Sequence, residues 1–170
     1  MSKAIKGIFI AVILLILLFV SSKFFTSDQN SITFEKGILE TDYFRAEITD
    51  YEFFPEGTVK DITSPSFAIK FRFTNKSNTP LQPDMEIENY ITCEQNIKDT
   101  AEGLNYCNES ISKAKPEYKK IDNQASSDLK PGKSTDCYLA FEVIDIKNPV
   151  FLVINDDVGE VVSKVEFQIK

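Results

Sequence analysis

The sequence predicts an all-β fold, an immunoglobulin-like antiparallel β-sandwich of about seven strands that follows one N-terminal transmembrane helix. Three observations predict it: an uncharged apolar run near the start, several segments in which apolar and polar residues alternate, and turn residues that separate these segments. Alternation with a period of two places one side of a strand in a core and the other side in solvent. Short strands at close spacing are typical of a sandwich.

The apolar run begins almost at the N-terminus, and residues 7–22 contain no charged side chain. Residues 5–25 would form a helix about 31 Å long, which matches a hydrocarbon core of about 30 Å. Lys6 and Lys23 flank the run and can extend their ammonium groups to the lipid headgroups. Because basic residues precede the run and Asp28 follows it, the positive-inside rule predicts a cytoplasmic N-terminus and a single-pass membrane protein with an extracellular C-terminal domain.

The same run also fits a secretory signal that is cleaved near Ser22 and leaves a secreted domain. We expect the uncleaved anchor, because the apolar run is long for a signal and no A-x-A motif follows it. Lipoprotein acylation is not expected, since the first cysteine is Cys93. The chain therefore divides into an anchor or signal segment (1–25), a polar spacer (26–31) and an extracytoplasmic domain (32–170).

The clearest strand is residues 66–74, because its apolar residues follow a strict alternation. Residues 75–80 end it, since Asn, Ser and Pro favour turns. Four large apolar side chains share one face of this strand: Phe67, Ile69, Phe71 and Phe73. Each contributes roughly 1.5 to 3 kcal/mol when fully buried, so this face requires an opposing sheet.

Six further segments show strand patterns. They are residues 32–36, 43–53 with Phe44, Ala46 and Ile48 inward, 85–93 with Ile87, Ile91 and Cys93 inward, 135–144 with Cys137, Leu139, Phe141 and Val143 inward, 150–154, and 161–169 with Val161, Val165, Phe167 and Ile169 inward. Residues 94–134 show neither the strand nor the helix period. A structureless segment of this length is uncommon in a compact domain, so we predict short strands or a helical turn there, with one element near residues 118–123.

Charge and composition exclude several function classes. Lys3, Lys6 and Lys23 are the only charged residues among the first 23, so 16 of the 19 basic side chains remain against 26 acidic ones, a net charge of −10. Such a domain repels phosphate backbones, and we expect no nucleic-acid partner. The sequence contains no histidine, which removes Ser-His and Cys-His nucleophile pairs and His-bearing zinc sites. We therefore expect a non-enzymatic protein without a cofactor.

Three cysteines leave the disulfide state open. Strand parity turns Cys93 and Cys137 towards the interior, whereas Cys107 lies in the polar segment. A bridge between Cys93 and Cys107, a bridge between Cys93 and Cys137, and a fully reduced state are the three alternatives. A catalytic cysteine is not expected in a chain without histidine.

Two acidic groups carry oxygen ligands of the kind that calcium binds. They are Asp84, Glu86 and Glu88, and Asp156, Asp157 and Glu160. Neither spacing matches an EF-hand loop, and acidic turns and strand faces are common on solvated surfaces. We therefore predict no metal site.

Several short motifs carry a resemblance to a known group of domains. They are Ile48-Thr49-Asp50, Phe71-Arg72-Phe73-Thr74-Asn75-Lys76-Ser77, Leu129-Lys130-Pro131-Gly132-Lys133-Ser134, and Phe141-Glu142-Val143 followed by Asn148-Pro149-Val150. Over residues 46–156 the chain resembles immunoglobulin-like extracytoplasmic domain families of unknown function from Gram-positive bacteria, related to a secreted mycobacterial immunogenic antigen. The resemblance implies a sandwich at the cell surface and no catalytic residues.

These observations together predict a membrane-anchored cell-surface binding module that contacts the lipid bilayer through residues 5–25 and a protein partner at the surface. We expect the partner to contact residues 94–134 and the loops at the sandwich ends, because loops on a rigid scaffold usually provide recognition. The alternative is a structural or accessory subunit of a bacterial envelope complex, in which the transmembrane helix contributes to assembly.

Overall fold

The computed structural model describes residues 31–57 and 64–169, which contain two antiparallel β-sheets and three helices. The predicted membrane segment 5–25 and its flanking residues Lys6 and Lys23 lie outside the described residues. Among the described helices, none is both long and apolar enough to cross a membrane.

The described residues form nine strands, β1 (Thr33–Glu35), β2 (Ile38–Glu40), β3 (Phe44–Phe54), β4 (Ser66–Asn75), β5 (Ile91–Ile97), β6 (Thr100–Gly103), β7 (Ser134–Glu142), β8 (Val150–Asn155) and β9 (Val161–Phe167). The helices are α1 (Pro83–Glu88), α2 (Asn108–Ala114) and α3 (Pro116–Ala125). The predicted β-sandwich is confirmed, with nine strands in place of about seven.

The strands form a five-stranded sheet in the order β1-β2-β3-β4-β7 and a four-stranded sheet in the order β6-β5-β8-β9. All neighbouring strands are antiparallel. The chain passes from one sheet to the other between β4 and β5, between β6 and β7, and between β7 and β8. Each sheet therefore combines strands that are distant in sequence.

Strands β2 and β6 were not predicted individually from the sequence pattern, and each belongs to a tight hairpin. Lys36 and Gly37 connect β1 to β2, and both have positive φ angles (52° and 80°), as a two-residue turn of the type I′ class requires. Lys98, with φ 57°, turns β5 into β6. The expectation of short strands within residues 94–134 is confirmed by β6.

The core lies between the sheets, and β4 is its centre. Its four predicted core residues, Phe67, Ile69, Phe71 and Phe73, are at most 1% exposed. The predicted inward residues of segment 135–144, Cys137, Leu139, Phe141 and Val143, are buried in the same cluster, and so are Ile91 and Cys93 of β5. The alternation therefore predicted the core faces of these strands correctly.

The predicted strand over residues 85–93 is wrong for its first half. Pro83 begins α1, and the strand starts only at Ile91. A proline is compatible with the first helical turn because the N–H that it lacks would be unpaired there. Ile87 and Ile91 are both fully buried, and a spacing of four residues fits one helix face as well as alternate strand positions, so this pattern did not discriminate between the two structures.

The last strand keeps its predicted core face only in its second half. Phe167 is buried, and Val165 and Ile169 pack against the core. Val161 is 56% exposed, which corrects its predicted inward position. The pairing of β8 with β9 changes register between Ile154 and Asn155, and this irregularity turns the start of β9 away from the core.

A layer formed by α2 and α3 covers part of the outer face of the five-stranded sheet. Apolar residues of this layer and of the sheet beneath it form a second cluster, which we call the helix-layer cluster: Phe54, Ala68, Cys107, Ile111, Tyr118, Tyr138 and Ala140. Helix α3 confirms the element predicted near residues 118–123. Ala68 was expected on a solvated face, yet it is fully buried because this layer covers it.

Candidate functional site

The sandwich has two ends, which differ in what they present. At the proximal end, which carries the loop 76–82 and the turn 156–160, the backbone N–H of Ser31 donates to the Asp42 carboxylate (3.3 Å). The described chain therefore enters the domain at this end. The opposite, distal end carries the loop 143–149.

A gap opens on the side of the sandwich where β3 faces β9. Strand β2 pairs with β3 only as far as Glu47, whereas β3 continues to Phe54. Nearer the proximal end, Ile32 and Phe34 pack against the core and close this side. Towards the distal end a groove of about 420 Å³ remains.

Aromatic and polar residues line this distal groove. Its lining residues are Tyr51, Glu52, Phe53, Phe67 and Gln168. The Tyr51 ring centroid lies 5.8 Å from that of Phe67 and 5.0 Å from that of Phe167, and Tyr51 is 51% exposed. The groove therefore presents mixed polar and apolar surface with the half-exposed Tyr51 ring in its lining, and tyrosine side chains are enriched at protein interfaces.

A β-bulge places Tyr51 in this groove. Ile48 pairs with Phe71 and Asp50 pairs with Lys70, so Thr49 is an additional residue in β3, and its hydroxyl donates to the Lys70 carbonyl oxygen (3.2 Å). An uninterrupted alternation from Phe44 would have pointed position 52 towards the core. The bulge reverses the parity, and our sequence analysis did not single out Tyr51 for this reason.

On the opposite face of β3, Glu52 fastens the helix layer to the sheet. Its carboxylate accepts hydrogen bonds from Lys115 Nζ (2.6 Å) and from the Tyr118 hydroxyl (2.9 Å). The Lys115 ammonium also lies 4.3 Å from the centroid of the Phe54 ring. We call Glu52, Lys115 and Tyr118 the Glu52 clamp. It fixes the β3 segment that carries Tyr51.

Tyr118 is the central residue of the helix-layer cluster and is fully buried. Burial is the main cause that raises the pKa of the Tyr118 hydroxyl far above its usual value, and the neighbouring Glu52 carboxylate raises this pKa further. The hydroxyl therefore remains a hydrogen-bond donor to Glu52 over the whole physiological pH range. The Lys70 ammonium lies 5.0 Å from the centroid of the Tyr118 ring and adds a cation–π contact.

The distal loop 143–149 is held by one buried side chain, Gln95. Its Nε2 donates to the carbonyl oxygens of Asp145 (2.8 Å) and Asn148 (2.9 Å), and its Oε1 accepts from the N–H groups of Ile144 (2.8 Å) and Asp145 (3.1 Å). All four hydrogen-bonding positions of the amide are thus satisfied. Gln95 thus holds this loop through four hydrogen bonds, and our sequence analysis did not identify this role.

The same loop exposes two large apolar side chains beside a cavity. Ile144 and Ile146 are 56% and 54% exposed. A cavity of about 360 Å³ adjoins Ile144 and is lined among others by Pro65, Asn105 and Glu142. The distal end therefore presents apolar surface at the loop as well as in the groove.

All three cysteines are buried and free in the structure. Cys93 and Cys137 lie in the core, whereas Cys107 belongs to the helix-layer cluster. Neither the Cys93–Cys107 bridge nor the Cys93–Cys137 bridge is present in the structure, and both bridges stay predictions. Burial raises the pKa of Cys107 to about 11 and that of Cys137 further, which keeps both as unreactive thiols.

The two acidic groups considered for calcium have structural partners. Asp156 Oδ1 accepts from the N–H groups of Val158 (3.0 Å) and Glu160 (2.7 Å) in the β8–β9 turn, and Asp84 Oδ2 accepts from the Ser126 hydroxyl (2.6 Å). Within residues 31–57 and 64–169, no group of three or more acidic or cysteine side chains has a geometry that could hold a metal ion.

Comparison with known proteins gives a family and a shared fold. A family model described as "Domain of unknown function (DUF5067)" matches residues 21–156. A "putative lipoprotein" from Staphylococcus aureus subsp. aureus NCTC 8325 has a similar structure, with a TM-score of 0.71 and 20% identity over 82% of this chain and 93% of that chain. A protein from Enterococcus faecalis, solved by NMR, has a TM-score of 0.61 and 21% identity over 82% and 94%.

No curated protein matches this chain. The family match and the two structures agree with the resemblance to domain families of Gram-positive bacteria. They provide no link to the mycobacterial antigen. At identities of 20% and 21% the two structures show a common fold.

Proposed function

Because this chain belongs to the DUF5067 family of domains of unknown function, we propose that it is a non-enzymatic cell-surface binding module whose recognition surface is the distal groove. The observation that carries this proposal is Tyr51, a half-exposed aromatic ring that makes a tilted contact with Phe67 and an edge-to-face contact with Phe167 in a gap that the sandwich leaves open. Aromatic anchors in concave sites are typical of protein–protein recognition.

The strand order supports an immunoglobulin-like class for the sandwich. In that class the strands A, B and E form one sheet and C, F and G form the other, with C′ added beside C in variable-type domains. Strands β3, β4 and β7 correspond to A, B and E, and the order β6-β5-β8-β9 corresponds to C′-C-F-G. The hairpin β1–β2 and the helix layer are additions to this plan.

A membrane location follows from the sequence of residues 5–25, with the N-terminus cytoplasmic and the domain outside. Attachment through this segment differs from a lipoprotein anchor, the description given to the Staphylococcus aureus protein. Cys93, the first cysteine here, is a buried thiol in the core. The described chain enters the domain at the proximal end, and the distal groove lies towards the opposite end of the domain.

The groove is suited to bind a side chain of a protein partner. Its volume lies within the range of roughly 300 to 1,000 Å³ for ligand pockets, and its lining combines the aromatic residues Tyr51, Phe53 and Phe67 with polar ones. Both oxygens of the Glu52 carboxylate already accept hydrogen bonds from the clamp. This carboxylate therefore has a structural role in the groove wall. The function that the groove supports is binding.

Site-specific photocrosslinking in intact cells tests this proposal. A photoreactive amino acid replaces Tyr51 in the full-length protein, and a matched chain carries it at Tyr43, which has a similar exposure (47% against 51%) but lies at the proximal end. We expect a discrete crosslinked adduct from position 51 that is absent from position 43. Adducts of equal yield at both positions, or none at position 51, would contradict the proposal.

A further inference from the structure

The strands at the sheet edges differ in how they are protected from pairing with other chains. In the described part, β1 and β6 contain only three and four residues. The free side of β7 is covered at its C-terminal end, because Cys107 N–H donates to the Ala140 carbonyl oxygen (2.8 Å) and Glu142 N–H donates to that of Asn105 (2.9 Å). Strand β9 is seven residues long and pairs with β8. A long uncovered edge is a template for another strand.

The side chains of β9 retain partial exposure on both of its faces. Val165 turns towards the core but is only partly buried, whereas Lys164 and Glu166 are exposed on the outer face. Strand β1 lies near β9 but pairs with β2. The outer backbone groups of β9 thus have no ladder partner among the described strands.

We propose that β9 pairs antiparallel with β9 of a second copy of this chain, about a twofold axis through Val165. In this register Lys164 lies opposite Glu166 of the second copy, and the symmetry produces this pair twice. Opposite charges at directly facing strand positions are favourable. The two four-stranded sheets then form one continuous sheet of eight strands, and Val165 is covered by its symmetry mate.

Charge complementarity selects this register over its neighbours. An axis through Lys164 would place two ammonium groups opposite each other, and an axis through Glu166 would do the same with two carboxylates. Like charges at directly facing positions are destabilising. Lys164 also binds Glu94 of its own chain (2.6 Å), and an ammonium group has three donors, so it can hold a carboxylate of each copy.

Disulfide trapping tests the register directly. Full-length chains in detergent carry either Lys164→Cys or Glu166→Cys, and the three native thiols are buried. Directly facing residues have Cβ atoms about 5 Å apart, against roughly 7 to 8 Å for diagonal ones. We expect the mixture of the two chains to form at least tenfold more disulfide-linked dimer on a non-reducing gel than either chain alone. Equal yields, or no dimer in the mixture, would overturn the proposal.

Charge reversal provides a second readout that does not depend on disulfide chemistry. Glu166→Lys and Lys164→Glu each place like charges opposite each other in their own homodimers, so sedimentation should show at least tenfold weaker self-association. A mixture of the two restores both complementary pairs and should dimerise. Thermal melting shows whether each variant is folded. Self-association that is unchanged in Glu166→Lys, whose position is exposed, would overturn the proposal.

Discussion

At the scale of single residues, buried amides hold the loops of this domain. Asn75 is fully buried at the end of β4, and its Nδ2 donates to the carbonyl oxygens of Thr79 and Leu129 (2.8 Å each). Its Oδ1 accepts from the N–H of Ser77 (2.8 Å). The end of the central strand is thus fixed by one side chain in the motif that resembles known extracytoplasmic domains.

Gln95 has the same role at the distal end, and its replacement by methionine is our first prediction. Methionine fills a similar volume but removes the four hydrogen bonds to loop 143–149, and each buried backbone group left unpaired costs about 1 to 3 kcal/mol. We expect a loss of stability of about 2 to 4 kcal/mol after partial relaxation. Hydrogen exchange at the amides of Ile144 and Asp145 should accelerate at least tenfold.

The matched control for this prediction is Gln124→Met on the exposed surface of α3. It should leave the melting temperature and the exchange of the distal loop unchanged. If Gln95→Met leaves the exchange at Ile144 and Asp145 as slow as in the parent, the loop is held by other contacts and the role assigned to Gln95 is wrong.

The residue scale also shows what periodicity identifies and what it misses. Phe67 and its three alternate neighbours in β4 were predicted as core residues, since burial of alternate apolar residues is a local property of a strand. Gln95 gave no such signal. It lies in the segment 94–134, which shows no period, and its partners lie about fifty positions away in sequence, so its role depends on contacts that one segment does not contain.

At the scale of secondary structure elements, the Glu52 clamp connects α3 to β3, and its removal is our second prediction. Glu52→Gln removes the ion pair with Lys115 and weakens the hydrogen bond to Tyr118. Hydrogen bonds to charged groups contribute about 1.5 to 3 kcal/mol, but Glu52 is partly exposed, and solvent screening reduces this value to about 1 kcal/mol. Chemical denaturation of the full-length protein measures the loss.

The control for the clamp is Glu47→Gln, which removes the solvated ion pair with Arg45 on the same strand. This change should alter stability by less than about 0.5 kcal/mol. A double-mutant cycle of Glu52→Gln with Tyr118→Phe should show coupling, because both changes affect one hydrogen bond. Additive effects, or equal losses at Glu47 and Glu52, would contradict the clamp.

Helices α1 and α3 bring carboxylates together, and the resulting pH dependence is our third prediction. Burial, and then the charges of Asp84 and Asp122, raise the pKa of Glu88, and burial raises that of Asp122. A carboxyl group with a raised folded-state pKa binds more protons when folded than when unfolded, so its contribution to stability is lost as pH rises through the folded pKa. The melting temperature should therefore increase as pH falls from neutral towards 5.

The variant Glu88→Gln isolates this effect. It removes the charge that Asp84 and Asp122 repel, so the variant should be more stable than the parent at pH 7 and should show a flatter pH profile. Glu40 and Glu109, whose pKa values are lowered by Lys76 and Lys113 respectively, act in the opposite direction and lose their contribution at lower pH. A parent and a variant with identical profiles between pH 7 and 5 would disprove the repulsion.

Errors in the predicted elements have physical causes of the same kind. The strand over residues 85–93 was wrong in its first half because Ile87 and Ile91 satisfy both periods. The groove residue Tyr51 was missed because the bulge at Thr49 reverses the parity within one strand. Bulges and short helices depend on pairing between strands, which one segment of sequence does not contain.

At the scale of the whole molecule, the order of strands was the part least accessible from sequence. Periodicity indicated two packed sheets, since four phenylalanine and isoleucine side chains on one face require cover. It did not assign strands to sheets, because the chain crosses between the sheets three times. The position of the helix layer was equally inaccessible from sequence. Helices α2 and α3 contain only a few apolar residues, and the residues that pack against them lie on β3, β4 and β7.

Our fourth prediction concerns which part of the protein binds the partner, the membrane segment or the domain. If the domain is the binding module, replacing residues 1–23 with an unrelated single-pass anchor should leave the crosslinked adduct at Tyr51 unchanged, because the described lining residues of the groove belong to the domain. If the protein is an accessory subunit assembled through its helix, the adduct should disappear while the protein remains in the membrane fraction. An immunoblot completes the test by comparing the mobility of the native protein with that of the recombinant full-length chain. Cleavage near Ser22 would shorten the native protein and remove the anchor that the binding module and the accessory subunit both require.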